Sequence, residues 1–174
     1  MAELITVEQA KAHLRVDGSD EDGLIGDIIV DARGWIESYT GLILTQRTVR
    51  EVLPRFTSRL RSWPIDTIDS VTYIDANGVG QLLDASLYVS QIAARPGALL
   101  GKSWPGLYLG SRITVELTAG FASADAVKEF SPNLMRAMKL LIAGYYHDRE
   151  TGGLTADVEE AAKALCRGLK DWRV

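Results

Sequence analysis

The chain is poor in the residues on which most catalytic and extracellular proteins are built. Cys166 is the one cysteine among 174 residues, so no intrachain disulfide can form. Histidine occurs twice, as His13 and His147, and Gly-x-Ser-x-Gly does not occur. Long apolar runs are missing too. Stretches such as 140–143 fall far below the ~20 residues that span a bilayer. The opening Met-Ala-Glu-Leu-Ile-Thr lacks the basic and apolar regions of a secretory signal, so a cytosolic protein, or part of a cytosolic assembly, is expected. Positive charge is not in excess: 19 Lys and Arg face 23 Asp and Glu, a net charge of −4 that argues against a general nucleic-acid coat. What remains is ordinary for a folded domain, with 47% apolar and 24% charged residues. A chain of this length builds a core without a disulfide or metal.

Local signals divide the chain into helix, β and helix. Thr6 with Gln9 forms a capping box, and Val7, Ala10 and Leu14 give a short apolar stripe, which predicts a helix over about 7–15. Ser19 with Asp22 restarts a helix over about 20–40, with Ile25, Ile28, Ile29, Ala32, Trp35, Ile36 and Tyr39 as its apolar face and Gly41 just past its end. From Thr45 the period changes. Thr45–Leu53, Ile68–Asp75, Val79–Leu83, Leu87–Ile92 and Ile113–Thr118 read as strands. Asn77-Gly78 marks a hairpin, and Pro96-Gly97 reads as a turn. Ser131-Pro132 opens a helix over about 132–149, and Thr155 caps a last one over about 156–172. Val158, Ala162, Leu165, Leu169 and Trp172 lie along that last helix at alternating spacings of four and three. The fold class expected is α+β: a four-helix frame, two helices at each end, interrupted by a small, mostly antiparallel β region. Residues 1–41 and 122–174 are expected to pack together as one domain, with 42–121 inserted.

Charge separates along the chain. Residues 1–41 carry 3 basic and 9 acidic groups, a net −6, whereas 42–130 and 131–174 each carry a net +1. Arg47, Arg50, Arg55, Arg59 and Arg61 cluster, with only Glu51 opposing them. Asp20, Glu21 and Asp22 form an acidic run at the other extreme. Opposed patches on one chain suit head-to-tail contact between copies, and a solvated arginine face is the plainer alternative.

The motifs of cofactor chemistry fail on inspection. Gly101-Lys102-Ser103 resembles the end of a P-loop, but Pro96 stands where its first glycine is required. Gly78-Val79-Gly80 lacks the third glycine of a dinucleotide fingerprint and falls in a hairpin. A calcium loop starting at Asp17 would need glycine at Asp22 and glutamate at Ile28. His147 and Glu150 share a helical face, yet two ligands do not close a zinc site. Neither a catalytic residue nor a cofactor is expected. Trp35 reads as core, and Trp172, near the C-terminus on an apolar face, as a contact with another chain.

Taken in order, the pieces resemble the phage head–tail connector family, adaptor proteins of long-tailed phages and prophages, in its longer branch with a β insertion. The residues that carry the likeness are Ile5–Leu14, Asp20–Asp22, Ile36–Gly41, Trp63-Pro64-Ile65 with Val71 and Tyr73, and Tyr88-Val89. Trp104-Pro105, Ile113–Phe121, Pro132 with Ala137 and Leu141, and Tyr145–Glu150 complete it. The resemblance implies a structural virion protein and not an enzyme. Copies would form a ring, a dodecamer, beneath the portal protein, located in the virion neck after assembly in the host cytoplasm. The ring would continue the DNA channel and present a surface to a downstream neck or tail-completion protein. On that reading Asp20, Glu21, Asp22 and the five arginines are candidates for the subunit interface or the DNA channel. Leu165, Leu169 and Trp172 are candidates for portal docking. The alternatives are a small ligand-binding or enzymatic domain, supported only by Gly101–Ser103 and Tyr146–Asp148, or another neck protein of the same particle.

Overall fold

A computed structural model describes residues 3–150 and 153–170. They divide into two compact units, one formed by residues 1–45 with 121–174 and the other by 46–120.

The first unit is helical. In α1 (Val7–Leu14) the Thr6 hydroxyl accepts from the Gln9 N–H and the Gln9 side chain returns the bond, the capping box expected from the sequence. Arg15 ends the helix in a left-handed conformation, φ 59°. The next helix, α2 (Asp22–Thr40), buries Ile25, Ile28, Ile29, Ala32 and Ile36 and ends on Gly41 at φ 70°, where a side chain would be strained. Its start departs from expectation: Glu21, not Ser19, is the cap residue, and no side chain caps it. Tertiary contacts set that start, because Lys11 of α1 pairs with Asp22 at 2.7 Å and Tyr146 donates to Glu21.

After the β unit come α3 (Ala124–Phe130), α4 (Pro132–His147) and α5 (Ala156–Cys166). Helix α3 was not expected, so the described residues hold five α-helices where a four-helix frame was read. It is only seven residues long, capped by Ser123 and stopped at Ser131, directly before Pro132 opens α4. Helix α4 is the central element, burying Leu134, Met135, Ala137, Met138, Leu141 and Ile142 and packing against α1, α2, α3 and α5. Gly144 makes its approach to α5 possible, since a Cβ there would lie 2.8 Å from Val158 and 2.9 Å from Leu154. The last helix is shorter than the 156–172 read from its stripe. It gives way at Arg167 to a 3₁₀ turn containing Gly168, and glycine weakens a helix interior.

The second unit holds two antiparallel sheets. The larger runs β1 (Arg47–Leu53), β7 (Ile113–Ala119), β3 (Ile65–Ile74) and β4 (Gly80–Leu82), in that order. In β7, Ile113, Val115, Leu117 and Ala119 are buried and alternate with more exposed Thr114, Glu116 and Thr118. The Asn77-Gly78 hairpin joins β3 to β4, pairing Thr72 with Leu82 and Ile74 with Gly80. The smaller sheet runs β2 (Arg59–Leu60), β6 (Gly97–Gly101) and β5 (Tyr88–Gln91). Strand β6 stands where the sequence suggested only a turn. Its glycines are required by packing: a Cβ on Gly97 would lie 2.7 Å from Ile65, and one on Gly101 would lie 2.8 Å from the Trp104 ring. Trp104 in turn stacks on Phe56 at 4.8 Å, and Phe56 meets Tyr73 edge-on at 5.5 Å. No helix follows Gly101-Lys102-Ser103, so the P-loop fragment has no helical N-terminus with which to hold phosphate.

Candidate functional site

The arginines expected to act together occupy one stretch of the β unit. Arg47 is half-buried at the start of β1, and Arg50 is exposed on that strand opposite Glu116 of β7. Arg55 lies in the turn after β1, Arg59 on β2 and Arg61 just past it, all three exposed. Glu51, the one acid among them, is committed to the backbone. Its carboxylate accepts from the N–H of Arg61 at 3.0 and 3.1 Å and from the N–H of Ser62 at 2.7 Å. With Glu51 turned to that task, Arg55, Arg59 and Arg61 stand exposed on a loop and a two-residue strand.

The acidic run divides in the structure. Asp22 is tied to Lys11, and Glu21 accepts from the Tyr146 hydroxyl and lies 3.8 Å from Arg149. The hydrogen bond donated to Glu21 holds the Tyr146 phenol above its usual pKa, because ionisation would remove the proton that makes it; burial and the Glu21 charge add to the effect. Asp20 alone of the three stays exposed and without an ion pair among the described residues. Glu21 and Asp22 therefore serve the helical unit's own architecture.

Of the residues assigned to portal docking, Leu165 and Leu169 are half-buried, and Trp172 lies outside the described residues. Leu165 lines a groove of about 650 Å³ with Leu140 and Ala143 of α4 and Ala161 and Ala164 of α5. His13, Arg136 and Lys139 stand around it. A second hollow, of about 830 Å³, lies between α2 and α5, lined by Asp31, Trp35, Tyr39, Tyr145, Glu159 and Lys163 among others. Trp35, read as core, instead stacks on Tyr39 at 5.3 Å along this hollow. Its spacing from Asp31 and Tyr39, four residues each way, was the signal available, since Ile25, Ile29, Ala32 and Ile36 define a different face. The Tyr145 phenol is raised by burial, with Asp31 and Glu159 adding to the effect. Nothing in the sequence announced the groove, whose residues come from three separated helices.

Both surfaces are grooves bordered by helices of the helical unit. Residues 4–75 match the family described as phage gp6-like head-tail connector protein. Over these residues the chain is similar to the head–tail connector family. That match, with the solved particle structures below, supports a structural connector role. No curated protein matches the chain in sequence. Three solved assemblies share its fold across nearly the whole chain. A chain from the neck of an empty gene transfer agent particle, computed with C6 symmetry, superposes with a TM-score of 0.82 at 24% identity, covering 100% of this chain and 94% of that chain. One from the virion of the native gene transfer agent gives 0.78 at 28% identity, over 98% and 91%. One from the native neck computed with C12 symmetry gives 0.77 at 26% identity, over 100% and 94%. The likeness to these particle chains therefore takes in the β unit, which lies largely beyond residue 75.

Proposed function

We propose that the connector assembles as a ring of twelve copies in the neck of a phage-like particle. There it docks beneath the portal, continues the DNA channel and presents its far side to the next neck protein. The observation that carries this reading is the whole-chain likeness to chains in particle necks computed with C6 and C12 symmetry, at 24% and 26% identity. A ring needs two different, complementary surfaces on each copy, because its contacts are heterologous. The connector has surfaces of unlike charge to offer. Exposed Arg50, Arg55, Arg59 and Arg61 suit a polyanion, contacting phosphates without reading bases. Leu165, Leu169 and Trp172 are the proposed portal contact. The chain's part in the particle is structural and requires no catalysis.

Electron microscopy of portal-bearing heads incubated with the purified connector tests the reading. Annular density below the portal is expected, and heads left bare at saturating connector would overturn it.

A further inference from the structure

Two faces of the helical unit carry complementary charge beside exposed apolar residues; Val30, Asp31, Gly34 and Ser38 of the first also border the hollow beside α5. The outward face of α2 carries Leu24, Asp27, Asp31, Gly34 and Ser38 at alternating three- and four-residue spacing, all exposed, with Val30 alongside. Leu24 and Val30 are 39% and 44% exposed, large for aliphatic side chains on a helix whose other face is fully buried. Asp20, Asp27 and Asp31 make no ion pair among the described residues. This is an acidic helix face with two apolar anchors.

The groove between α4 and α5 is its opposite. Its walls are Leu140, Ala143, Ala161, Ala164 and Leu165, and its charged neighbours are Arg136 and Lys139, with His13 beside them. Arg136, Lys139 and His13 are exposed and make no ion pair among the described residues. No acidic side chain lines it. The two faces also lie on different sides of the unit. Glu159 and Lys163 of α5 border the hollow beside α2, whereas Ala161 and Leu165 border the groove. At about 100° per residue those pairs project from opposite flanks of α5. A chain with complementary surfaces on opposite flanks adds copies head to tail, the condition for a closed ring.

We propose that the outward face of α2 in one copy seats in the α4–α5 groove of the next. Leu24 and Val30 fill the apolar trough, and Asp27 and Asp31 meet Arg136 and Lys139. This is a helix-in-groove contact, with charge fixing register and apolar anchors supplying affinity. It rests on the ring reading and deepens it. It also reassigns Leu165 from portal docking to contact between copies, and pairs the acidic helix with the groove rather than with the arginine cluster.

Sedimentation velocity of the full chain at low salt, up to millimolar concentration, tests it with two surface variants. Ala164→Glu blocks the groove and Val30→Glu blocks the helix face. Each is expected to weaken self-association at least tenfold, with an unchanged far-ultraviolet spectrum and melting temperature. Mixed, they are expected to form a discrete 1:1 dimer, because one keeps the intact face and the other the intact groove. Unaltered association of either variant overturns the proposal, as does weakening by Ala164→Glu alone, which would give the groove to another part of the chain. An unmodified chain that stays monomeric throughout also overturns it. Microscopy of portal-bearing heads separates the two readings. Normal rings from both variants overturn the helix-in-groove pairing alone, and the absence of rings from the unmodified chain overturns both.

Discussion

The carboxylate of Glu51 on β1 accepts from the backbone N–H groups of Arg61 and Ser62, at 3.0 and 2.7 Å. One side chain thus anchors the loop that displays Arg55, Arg59 and Arg61. Hydrogen bonds to a charged group are each worth about 1.5–3 kcal/mol. Glu51→Ala is expected to lower the stability of the β unit by about that amount, and Glu51→Gln by less, because one acceptor survives. Hydrogen exchange is the direct check: the Arg61 and Ser62 amides should lose protection in Glu51→Ala ahead of the β7 amides.

The arginine surface makes a second expectation measurable. Binding to double-stranded DNA should be independent of sequence and fall linearly with the logarithm of salt concentration. Replacing Arg55, Arg59 and Arg61 by Ala should weaken it and reduce the salt slope by about one for each phosphate no longer neutralised. An unchanged slope in the triple variant would leave these guanidinium groups as solvated surface.

Gly144 sets the distance between α4 and α5. Because a Cβ there meets Val158 and Leu154 below 3 Å, Gly144→Leu is expected to cost about 1–3 kcal/mol through overpacking. Gly144→Ala should cost less, since alanine returns about 1 kcal/mol of helix propensity. Thermal unfolding of both variants checks the order.

Cys166 is fully buried, and burial pushes its thiol up to about 11. Thiolate is the reactive form, so at pH 8 roughly one thiol in a thousand is ionised. Iodoacetamide should leave the folded chain unmodified and label one thiol once the chain is denatured. Rapid labelling of the native protein would show that α5 opens readily.

Asp75 holds the β3–β4 hairpin, accepting from the N–H groups of Val79 and Asn77 and from the Gln81 amide at 2.9–3.0 Å. These bonds, the one from Val79 foremost, hold its carboxyl below the usual aspartate pKa. A lowered pKa means the native state binds its proton less readily than the unfolded one. The stabilisation is therefore complete above the ordinary aspartate pKa and is lost as pH falls through the lower native value. The protection factors of the Asn77 and Val79 amides, taken relative to intrinsic exchange at each pH, should fall on acidification, and Asp75→Asn should remove that pH dependence.

The start of α1, the end of α2 and the main hairpin were legible in the sequence because their causes are local. Thr6 and Gln9 are three residues apart, Gly41 supplies its own left-handed turn, and Asn77-Gly78 supplies the tight bend. The buried stripes of α2 and α4 likewise needed only their own periodicity. The ordered set of such signals was enough to suggest the connector family.

Tertiary structure alone decided what depends on distant partners. Gly97–Gly101 becomes a strand because β2 and β5 flank it and Ile65 and Trp104 leave no room for a Cβ on its glycines. In the sequence Glu21 and Asp22 belong to an acidic run read as a contact surface; in the fold α1 brings Lys11, α4 brings Tyr146, and Arg149 just past α4 joins them. The groove gathers His13, Arg136 and Leu165 from three helices. Chain periodicity records which face of a helix is apolar, but the neighbour that covers that face, or leaves it open, is chosen only when the helices pack.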